Sequence, residues 1–169
     1  MDISLLRDYL GLFAPVILLL SSIVLLFKKK IYLNSFVFGF IFNNILNVLL
    51  KLLIKEPRPA DDSRLIEIGV AHGKRIGPHK FGMPSGHAQN CGFCLIFITL
   101  VLDNPNVTSI YVIITFISMY QRYLYNNHTI LQLIIGLLVG LGFGYVTYLS
   151  ANMLIRGNIK GKKDDNGPF

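Results

Sequence analysis

His128 is the residue of this sequence whose surroundings best suit a nucleophile. Gln132 follows it by four positions, and residues four apart lie on the same face of a helix. If the last apolar segment extends back by one helical turn, the Gln132 amide can bond one imidazole nitrogen and leave the other free to attack an electrophile. Because a single histidine is more often a structural residue bonded to backbone or water, this interpretation needs support from the rest of the chain.

Two basic residues are spaced so that they could hold one anion. Six residues separate Lys51 from Arg58, and Pro57 ends the intervening helix. The chain can then turn and bring an ammonium and a guanidinium onto one anion. Arg122 precedes His128 with five residues between them. Lys51 follows Asn43 and Asn47 at four-residue spacing, which puts two amides and a cation on one face of an otherwise apolar helix. For Lys51 alone, the alternative is that it extends from a helix end towards the membrane surface.

The sequence Pro84-Ser85-Gly86-His87 is typical of a helix N-terminus that can bind an anion. Ser85 can cap the helix with its hydroxyl, Gly86 leaves the backbone open to a ligand, and the free N–H groups of the first turn favour negative charge. His87 would stand beside the bound group, where it can donate a proton to a leaving oxygen. The same residues would also serve as an ordinary helix start, so this motif alone does not decide.

Long apolar segments separate these residues and predict a membrane protein. The chain has 169 residues, of which 53% are hydrophobic. Five segments approach the ~20 residues that a helix needs to cross the hydrocarbon core, and they are apolar nearly all round. They are Leu10–Phe27, Ile31–Ile54, His87–Leu102, Val107–Tyr120 and Ile130–Leu154. We therefore expect an all-α integral membrane bundle of about five transmembrane helices, with the first segment retained as an anchor.

These segments divide the chain into one domain, a loop and a tail. We expect a single transmembrane domain over residues 1–155, in which the loop 55–83 carries function because structureless loops of that length are uncommon. Residues 156–169 form a basic tail that is expected to be disordered. Lys28-Lys29-Lys30 and this tail lie on the same side of the membrane, which the positive-inside rule makes cytoplasmic. The loop and the candidate site then face a lumen or the outside.

The net charge of +7 does not indicate a nucleic-acid partner, because much of it lies in the tail and the long loop between apolar segments. A basic loop on the non-cytoplasmic side breaks the charge rule, and anion binding accounts for it. Cys91 and Cys94, the two cysteines, fall within an apolar segment and indicate neither a disulfide nor a zinc site. We expect no metal and no cofactor.

Three glycines predict a close contact between helices. Gly136, Gly140 and Gly144 recur every fourth residue of the last apolar segment, and such small residues let a second helix approach closely. The partner helix could belong to the same chain or to a second copy in a homodimer.

Taken together, the motifs resemble the type 2 phosphatidic acid phosphatase superfamily. The matching stretches are Lys51-x6-Arg58-Pro59, Pro84-Ser85-Gly86-His87 and Arg122-x5-His128, and the resemblance covers Ile31 to Leu154. It implies a metal-independent membrane phosphatase of lipid phosphates, in which His128 forms a phosphohistidine and His87 protonates the leaving group. The residues that it implies bind the phosphoryl oxygens are Lys51, Arg58, Ser85, Gly86 and Arg122.

A narrower resemblance is to one branch of that superfamily, the dolichyl diphosphatases. The superfamily usually has Ser before the arginine and Asp four residues after the histidine, whereas this chain has Gln121 and Gln132. The branch also carries glutamine after its histidine, and the segments 56–59 and 81–89 resemble it as well. This likeness implies that Gln132 is part of the catalytic set. It also implies a polyprenyl diphosphate as substrate, hydrolysed on the luminal side of the endoplasmic reticulum in lipid metabolism for protein glycosylation.

Other functions stay open on the sequence alone. The same chemistry would serve another lipid phosphate such as phosphatidate. Because an aspartate is lacking, the chain could instead be a catalytically weak membrane protein that binds phospholipid headgroups. A channel or transporter subunit is a further alternative, which rests only on the number of spans.

Overall fold

The computed structural model describes residues 3–60, 62–64 and 71–157. Within these residues there are five α-helices, α1 Ile3–Leu25, α2 Lys30–Ile54, α3 Gly86–Leu102, α4 Pro105–Leu124 and α5 Ile130–Gly157. The predicted number of helices is confirmed. In the long loop, β1 Asp62–Arg64 pairs antiparallel with β2 Ala71–Lys74, and a 3-10 helix covers Gly77–Lys80. The all-α prediction missed this hairpin, because its short polar strands carry no alternating apolar pattern.

Both ends of the chain differ from the predicted boundaries. α1 begins at Ile3 rather than Leu10, because it includes Arg7 and buries Asp8, the charged residues that ended the apolar segment. Asp8 is 1% exposed and lies 2.8 Å from Arg7 Nη2, while the hydroxyl of Tyr125 donates to Asp8 Oδ2 at 2.6 Å. This contact also ties α1 to the end of α4. At the other terminus α5 runs to Gly157, and the rest of the tail predicted to be disordered lies outside the described residues.

α3 is the central helix and packs against all four others. Phe93 and Phe97 contact Phe36 of α2, with ring centroids 5.5 and 5.3 Å apart. Cys91 and Cys94 are both free and buried in the same helix, where they pack as small apolar residues. Enclosure on all sides explains why this helix is apolar all round although it is only 17 residues long.

The glycine-rich face of α5 receives the backbone at the start of α3. A Cβ at Gly136 would come within 2.5 Å of the carbonyl oxygen of Ser85. A Cβ at Gly140 would overlap the carbonyl oxygen of Gln89. Gly144 faces α3 in the same way. The close contact is therefore intramolecular. Of the two partners that the sequence left open, α3 of the same chain occupies this face.

This contact makes a testable distinction between two neighbouring glycines of α5. We expect Gly140→Ala to destabilise the protein by about 1–3 kcal/mol, the usual range for overpacking a closely packed site. Gly142→Ala is the matched control, because nothing lies within 4 Å of a Cβ at that position. Thermal unfolding of both variants in one detergent, followed by circular dichroism, measures the difference. Equal melting temperatures would contradict the packing described for α3 and α5.

Three helices are long and apolar enough to cross a membrane, judged by length and composition among the described residues: Ile3–Leu25, Lys30–Ile54 and Ile130–Arg156. α3 is shorter, and the other helices enclose it. Large apolar side chains on the outer surface, such as Phe38 and Phe42, are more than half exposed, as contact with lipid tails allows. The chain is therefore a multi-pass membrane protein, with three such spans where the sequence predicted about five.

Candidate active site

Residues from separate motifs meet at one end of the helix bundle. The C-terminal end of α2 lies beside the N-terminal ends of α3 and α5. Lys51, which is 3% exposed, donates from Nζ to the Phe81 carbonyl oxygen at 3.0 Å instead of extending to the membrane surface. The backbone N–H of Ser85 donates to the Gln132 carbonyl oxygen at 3.0 Å. These two bonds join the ends of the three helices at the candidate site.

Buried amides join α2 to α3 next to this site. Asn43, Asn47 and Lys51 are all buried on the α3 side of the helix, as their four-residue spacing predicts. Asn47 Nδ2 donates to Gln89 Oε1 at 2.8 Å and to the Pro84 carbonyl oxygen at 3.2 Å. Gln89 Nε2 donates in turn to Asn43 Oδ1 at 2.9 Å. Because buried hydrogen bonds with both partners satisfied are strongly directional, these amides fix the start of α3 relative to Lys51.

The N-terminus of α3 differs from the predicted cap. Ser85 stands at the N-cap position, yet its hydroxyl makes no capping bond. Among the described residues, Ser85 Oγ and Arg122 Nη2 are the two buried side-chain polar atoms without a hydrogen-bond partner. Leaving such a group unpaired costs about 1–3 kcal/mol. Both atoms can donate, so the oxygens of a bound anion would satisfy them.

Gly86 is less open than predicted. A Cβ at this position would come 3.2 Å from Oδ1 of Asn47, because α2 lies close alongside. The glycine therefore serves the approach of α2 to the start of α3. Its part in binding a phosphoryl group stays a prediction.

Arg122 is held by the glutamine that precedes it. Its Nε donates to Gln121 Oε1 at 2.6 Å, and both side chains are buried. Gln121 in turn packs so closely on α1 that a Cβ at Gly11 would lie 2.5 Å from its own Cβ. The hydroxyl of Ser118 donates to the Gly11 carbonyl oxygen at 2.9 Å, which the proline at position 15 leaves without its helical partner. Gln121 therefore orients the arginine where the superfamily usually has serine.

Both ring nitrogens of His128 are engaged. Nε2 lies 2.8 Å from Arg58 Nη1, and Nδ1 lies 3.2 Å from Gln132 Oε1. A guanidinium can only donate, so Nε2 is the accepting nitrogen. The ring proton is then on Nδ1 and is donated to the amide oxygen of Gln132. The lone pair of Nε2 consequently faces the cations of the site.

Gln132 uses its backbone N–H and all the hydrogen-bonding groups of its side-chain amide. Its backbone N–H donates to Thr129 Oγ1 at 3.2 Å, and its Oε1 accepts from the Thr129 N–H at 3.3 Å, which forms a reciprocal capping box at the start of α5. Its Nε2 donates to Glu56 Oε1 at 2.7 Å and to the Pro57 carbonyl oxygen at 2.8 Å. The amide oxygen therefore points towards His128.

Arg75 is a further cation at the site, and the sequence analysis did not single it out. Its Nη2 donates to Asn127 Oδ1 at 2.5 Å, and its Nη1 donates to the Ala60 carbonyl oxygen at 3.1 Å. Asn127 immediately precedes His128, and Arg75 is close enough to Arg58 to lower the pKa of that guanidinium. The basic composition of the long loop was the available signal, but composition does not show which cation reaches the site.

The crowding of these cations changes the protonation of the loop residues at the site. Burial lowers the pKa of His128 well below its usual value, and Arg58 and Lys51 lower it further. The imidazole is therefore neutral near pH 7, which is its nucleophilic form. Burial, together with Arg75 and Arg122, lowers the pKa of Arg58 to about 10. Because these like charges repel one another, an anion bound between them would be stabilising.

His87 contacts α1 rather than the other candidate residues. Its Nε2 lies 3.2 Å from the Leu12 carbonyl oxygen. Since a carbonyl oxygen only accepts, Nε2 carries a proton here, and Nδ1 is the nitrogen left to exchange a proton with a ligand. The sequence analysis did not anticipate that α1 takes part in placing this residue. The role of His87 as an acid stays a prediction.

A comparison with protein families distinguishes among the functions left open by the sequence. The PAP2 superfamily model matches residues 32–156, which is most of the chain. The chain belongs to the PAP2 superfamily. PAP2 proteins are phosphatases, and this membership indicates a phosphatase of lipid phosphates. Comparisons with curated proteins and with solved structures gave no match.

Two further observations complete the description of the PAP2 domain. The matched range begins after α1, so the Leu12 contact of His87 lies outside it. Within the parts of the chain that the structure describes, no group of three or more His, Cys, Asp or Glu side chains could hold a metal ion. The described site thus consists of basic, amide, hydroxyl and imidazole groups, with Glu56 beside them.

Proposed function

We propose that this PAP2 protein is a membrane phosphohydrolase that needs no metal and removes the terminal phosphate of a polyprenyl diphosphate through a phosphohistidine at His128. The observation that carries the proposal is the state of the imidazole. Nε2 accepts from Arg58, while Gln132 holds the ring proton on Nδ1. A neutral imidazole in one tautomer beside several cations meets the requirements for attack on a phosphoryl group.

In the first half-reaction, Nε2 of His128 attacks the terminal phosphorus, and the bond from that phosphorus to the bridging oxygen breaks. The phosphoryl group is now on the ring nitrogen, and the polyprenyl monophosphate leaves. His87 enters this step protonated on both nitrogens: its Nε2–H is bonded to Leu12, and its Nδ1–H gives the proton to the departing oxygen. The cations and Ser85 Oγ stabilise the negative charge of the transferring group.

In the second half-reaction, a water molecule attacks the phosphorus of the phosphohistidine. Nδ1 of His87 accepts a proton from that water, and the phosphorus–nitrogen bond breaks. Inorganic phosphate leaves, and Nε2 of His128 regains its lone pair. His87 has regained the proton that it gave up in the first step, so the cycle closes without a further reactant.

The number of cations supports a diphosphate as substrate. Lys51, Arg58 and Arg122 suffice for the three oxygens of the phosphoryl group under attack. Arg75 adds a guanidinium on the side of the long loop, where it bridges Ala60 and Asn127. A diphosphate has a second phosphate that such a guanidinium can bind, whereas a monophosphate does not.

We further propose that the site faces the lumen of the endoplasmic reticulum. Support comes from the order of the helices. The turn that contains Lys28-Lys29-Lys30 joins α1 to α2 at the end of the bundle opposite to the site. The positive-inside rule assigns that end to the cytoplasm.

A substrate panel tests the proposed function. Phosphate release is measured with the purified full chain in detergent on a polyprenyl diphosphate, a polyprenyl monophosphate and phosphatidate. We expect the highest kcat/KM on the diphosphate. A preference for phosphatidate would instead support a phosphatase of other lipid phosphates, and orthovanadate binding without turnover would support a phospholipid-binding protein.

Arg75→Gln sharpens this test. We expect the variant to raise KM for the diphosphate by about 10-fold, the size expected for the loss of a charged hydrogen bond, with little change on the monophosphate. Lys80→Gln is the matched control, because it removes an exposed cation from the same loop. Equal losses on both substrates would contradict the assignment of Arg75 to the second phosphate.

A further inference from the structure

Glu56 is an acidic residue among the cations of the site, and the mechanism above gives it no role. It directly follows the left-handed residue Lys55 (φ 54°), which turns the chain at the end of α2. Its carbonyl oxygen accepts from the Gly82 N–H at 2.8 Å, and Pro57 pairs with Phe81 in an isolated antiparallel bridge. The backbone that carries Glu56 is thereby held in place next to the start of α5.

The side chain of Glu56 contacts the amide that supports the nucleophile. Glu56 Oε1 and the Pro57 carbonyl oxygen lie 2.7 and 2.8 Å from Nε2 of Gln132. A carboxylate and a carbonyl only accept, so the amide nitrogen must face them and the amide oxygen must face His128. If these acceptors were lost, the amide could turn over and present its nitrogen to Nδ1. The ring proton would then move to Nε2, which is the attacking nitrogen.

The space around this amide suits glutamine. A Cβ at Gly82 would overlap the Gln132 side chain, and the capping box with Thr129 holds the backbone of Gln132. Aspartate at position 132 would place a second carboxylate near Glu56, and adjacent carboxylates repel each other. Glu56 and Gln132 therefore form a matched pair. In the usual superfamily pattern the negative charge is on the residue four positions after the histidine, whereas here it is on Glu56, with the neutral Gln132 between it and the imidazole.

We propose that Glu56 is a positioning residue that acts through Gln132 to keep the ring proton of His128 on Nδ1, so that the lone pair of Nε2, which accepts from Arg58, can attack. The inference rests on the proposed phosphohistidine chemistry and adds a residue that the three motifs leave unspecified. The hydrogen bond from a carboxylate polarises the amide. Its oxygen then holds the Nδ1 proton more strongly as positive charge develops on the ring during attack.

Single substitutions give the first test, with kcat and KM measured on the best substrate of the panel. Glu56→Ala is expected to lower kcat by about 10- to 100-fold, the range for removal of a partner that orients a functional histidine. KM should change less, because the cations that bind phosphate stay in place. Glu56→Gln keeps an acceptor and should retain more activity than Glu56→Ala. Asp103→Asn is the control, since it removes an exposed acid at the opposite end of α3.

An exchange of the pair gives a sharper test. Gln132→Asp should lose activity while Glu56 is present, because the two carboxylates repel. The double variant Glu56→Gln with Gln132→Asp should recover about 10-fold or more relative to Gln132→Asp alone, since coupled neighbours do not act additively. A double variant that is as poor as the product of the single effects would overturn the proposal.

Nitrogen-15 spectra of histidine-labelled protein report the tautomer without turnover. The chain has four histidines, and His128→Asn identifies the signal of the nucleophile. We expect Nδ1–H in the unsubstituted protein and a mixture of tautomers in Glu56→Ala. An unchanged tautomer overturns the proposal, even if the variant is less active or less stable. A shifted tautomer in a protein that hydrolyses no lipid phosphate would support the role of Glu56 and reject the phosphatase chemistry.

Discussion

His128→Ala is expected to lower kcat for phosphate release by ~10⁴-fold or more, as removal of a covalent nucleophile does in other hydrolases. Without the imidazole, no nitrogen can take the phosphoryl group, and water must attack the substrate directly. The basic residues that hold the substrate stay in place, so KM should change far less. Rapid acid-free quenching with substrate labelled in the terminal phosphate provides a second measurement. Label should remain on the unsubstituted protein and be absent from the variant.

His79→Ala is the matched control for this prediction. Its side chain is exposed, and its carbonyl oxygen, which accepts from Arg58 Nε at 3.0 Å, is retained in the variant. We expect activity within about twofold of the unsubstituted protein, as for most surface substitutions. Undiminished phosphate release by His128→Ala would contradict the proposed mechanism, whatever the control shows.

Spacing along a single helix predicted one part of the site correctly. Asn43, Asn47 and Lys51 share a buried face of α2. This prediction succeeds because the period of a helix is local and can be read from the chain without knowledge of its neighbours. His128 and Gln132 also meet, at 3.2 Å, but not on one helical face as predicted, because α5 begins at Ile130 and His128 lies in the turn before it.

Contacts between elements could not be predicted in the same way, because many of them use backbone atoms. His87 bonds the carbonyl oxygen of Leu12, and every residue has such an oxygen, so the sequence contains no signal for this choice. The predicted capping bond of the Ser85 hydroxyl is also wrong, and a contact with another helix accounts for this. The N–H of Ser85 bonds the carbonyl oxygen of Gln132 in another helix, while its hydroxyl stays without a partner. A local capping rule does not take account of α5.

Gln132 shows how tertiary contacts change the meaning of a substitution in a motif. As a neutral residue where an aspartate is usual, it suggested weak catalysis. In the structure a carboxylate contacts Gln132 instead of the imidazole. The turn after α2 brings Glu56 Oε1 within 2.7 Å of the amide nitrogen of Gln132. The contact joins residues far apart in the chain, so spacing rules could not reveal it.

Arg58→Ala is expected to lower kcat/KM by about 10²- to 10³-fold, the range for loss of one donor that stabilises a developing negative charge. Arg58 donates to Nε2 of His128, the nitrogen that we propose attacks, and it also donates to the backbone of Asn127 at 3.0 Å. Arg58→Lys keeps the positive charge but not the fork of donors, so its loss should be smaller than that of Arg58→Ala.

The same variants separate the charge of Arg58 from its geometry through the pH dependence of kcat/KM. The groups that act on the pKa of His128 are, besides burial, Arg58, Lys51, Gln132 and His87. Burial has the largest effect and the cations add to it, so the unsubstituted protein should keep a neutral nucleophile well below pH 6.5.

In Arg58→Ala one of the influences that lower the pKa of His128 is lost, so that pKa rises. The acid-side fall in kcat/KM should then begin at a higher pH, although still below the usual value because burial remains. Arg58→Lys should keep the acid limb of the unsubstituted protein, since its charge is retained. Titration of the substrate phosphate cancels when variants are compared on one substrate. An acid limb that shifts in Arg58→Lys but not in Arg58→Ala would show that charge next to Nε2 does not control the nucleophile.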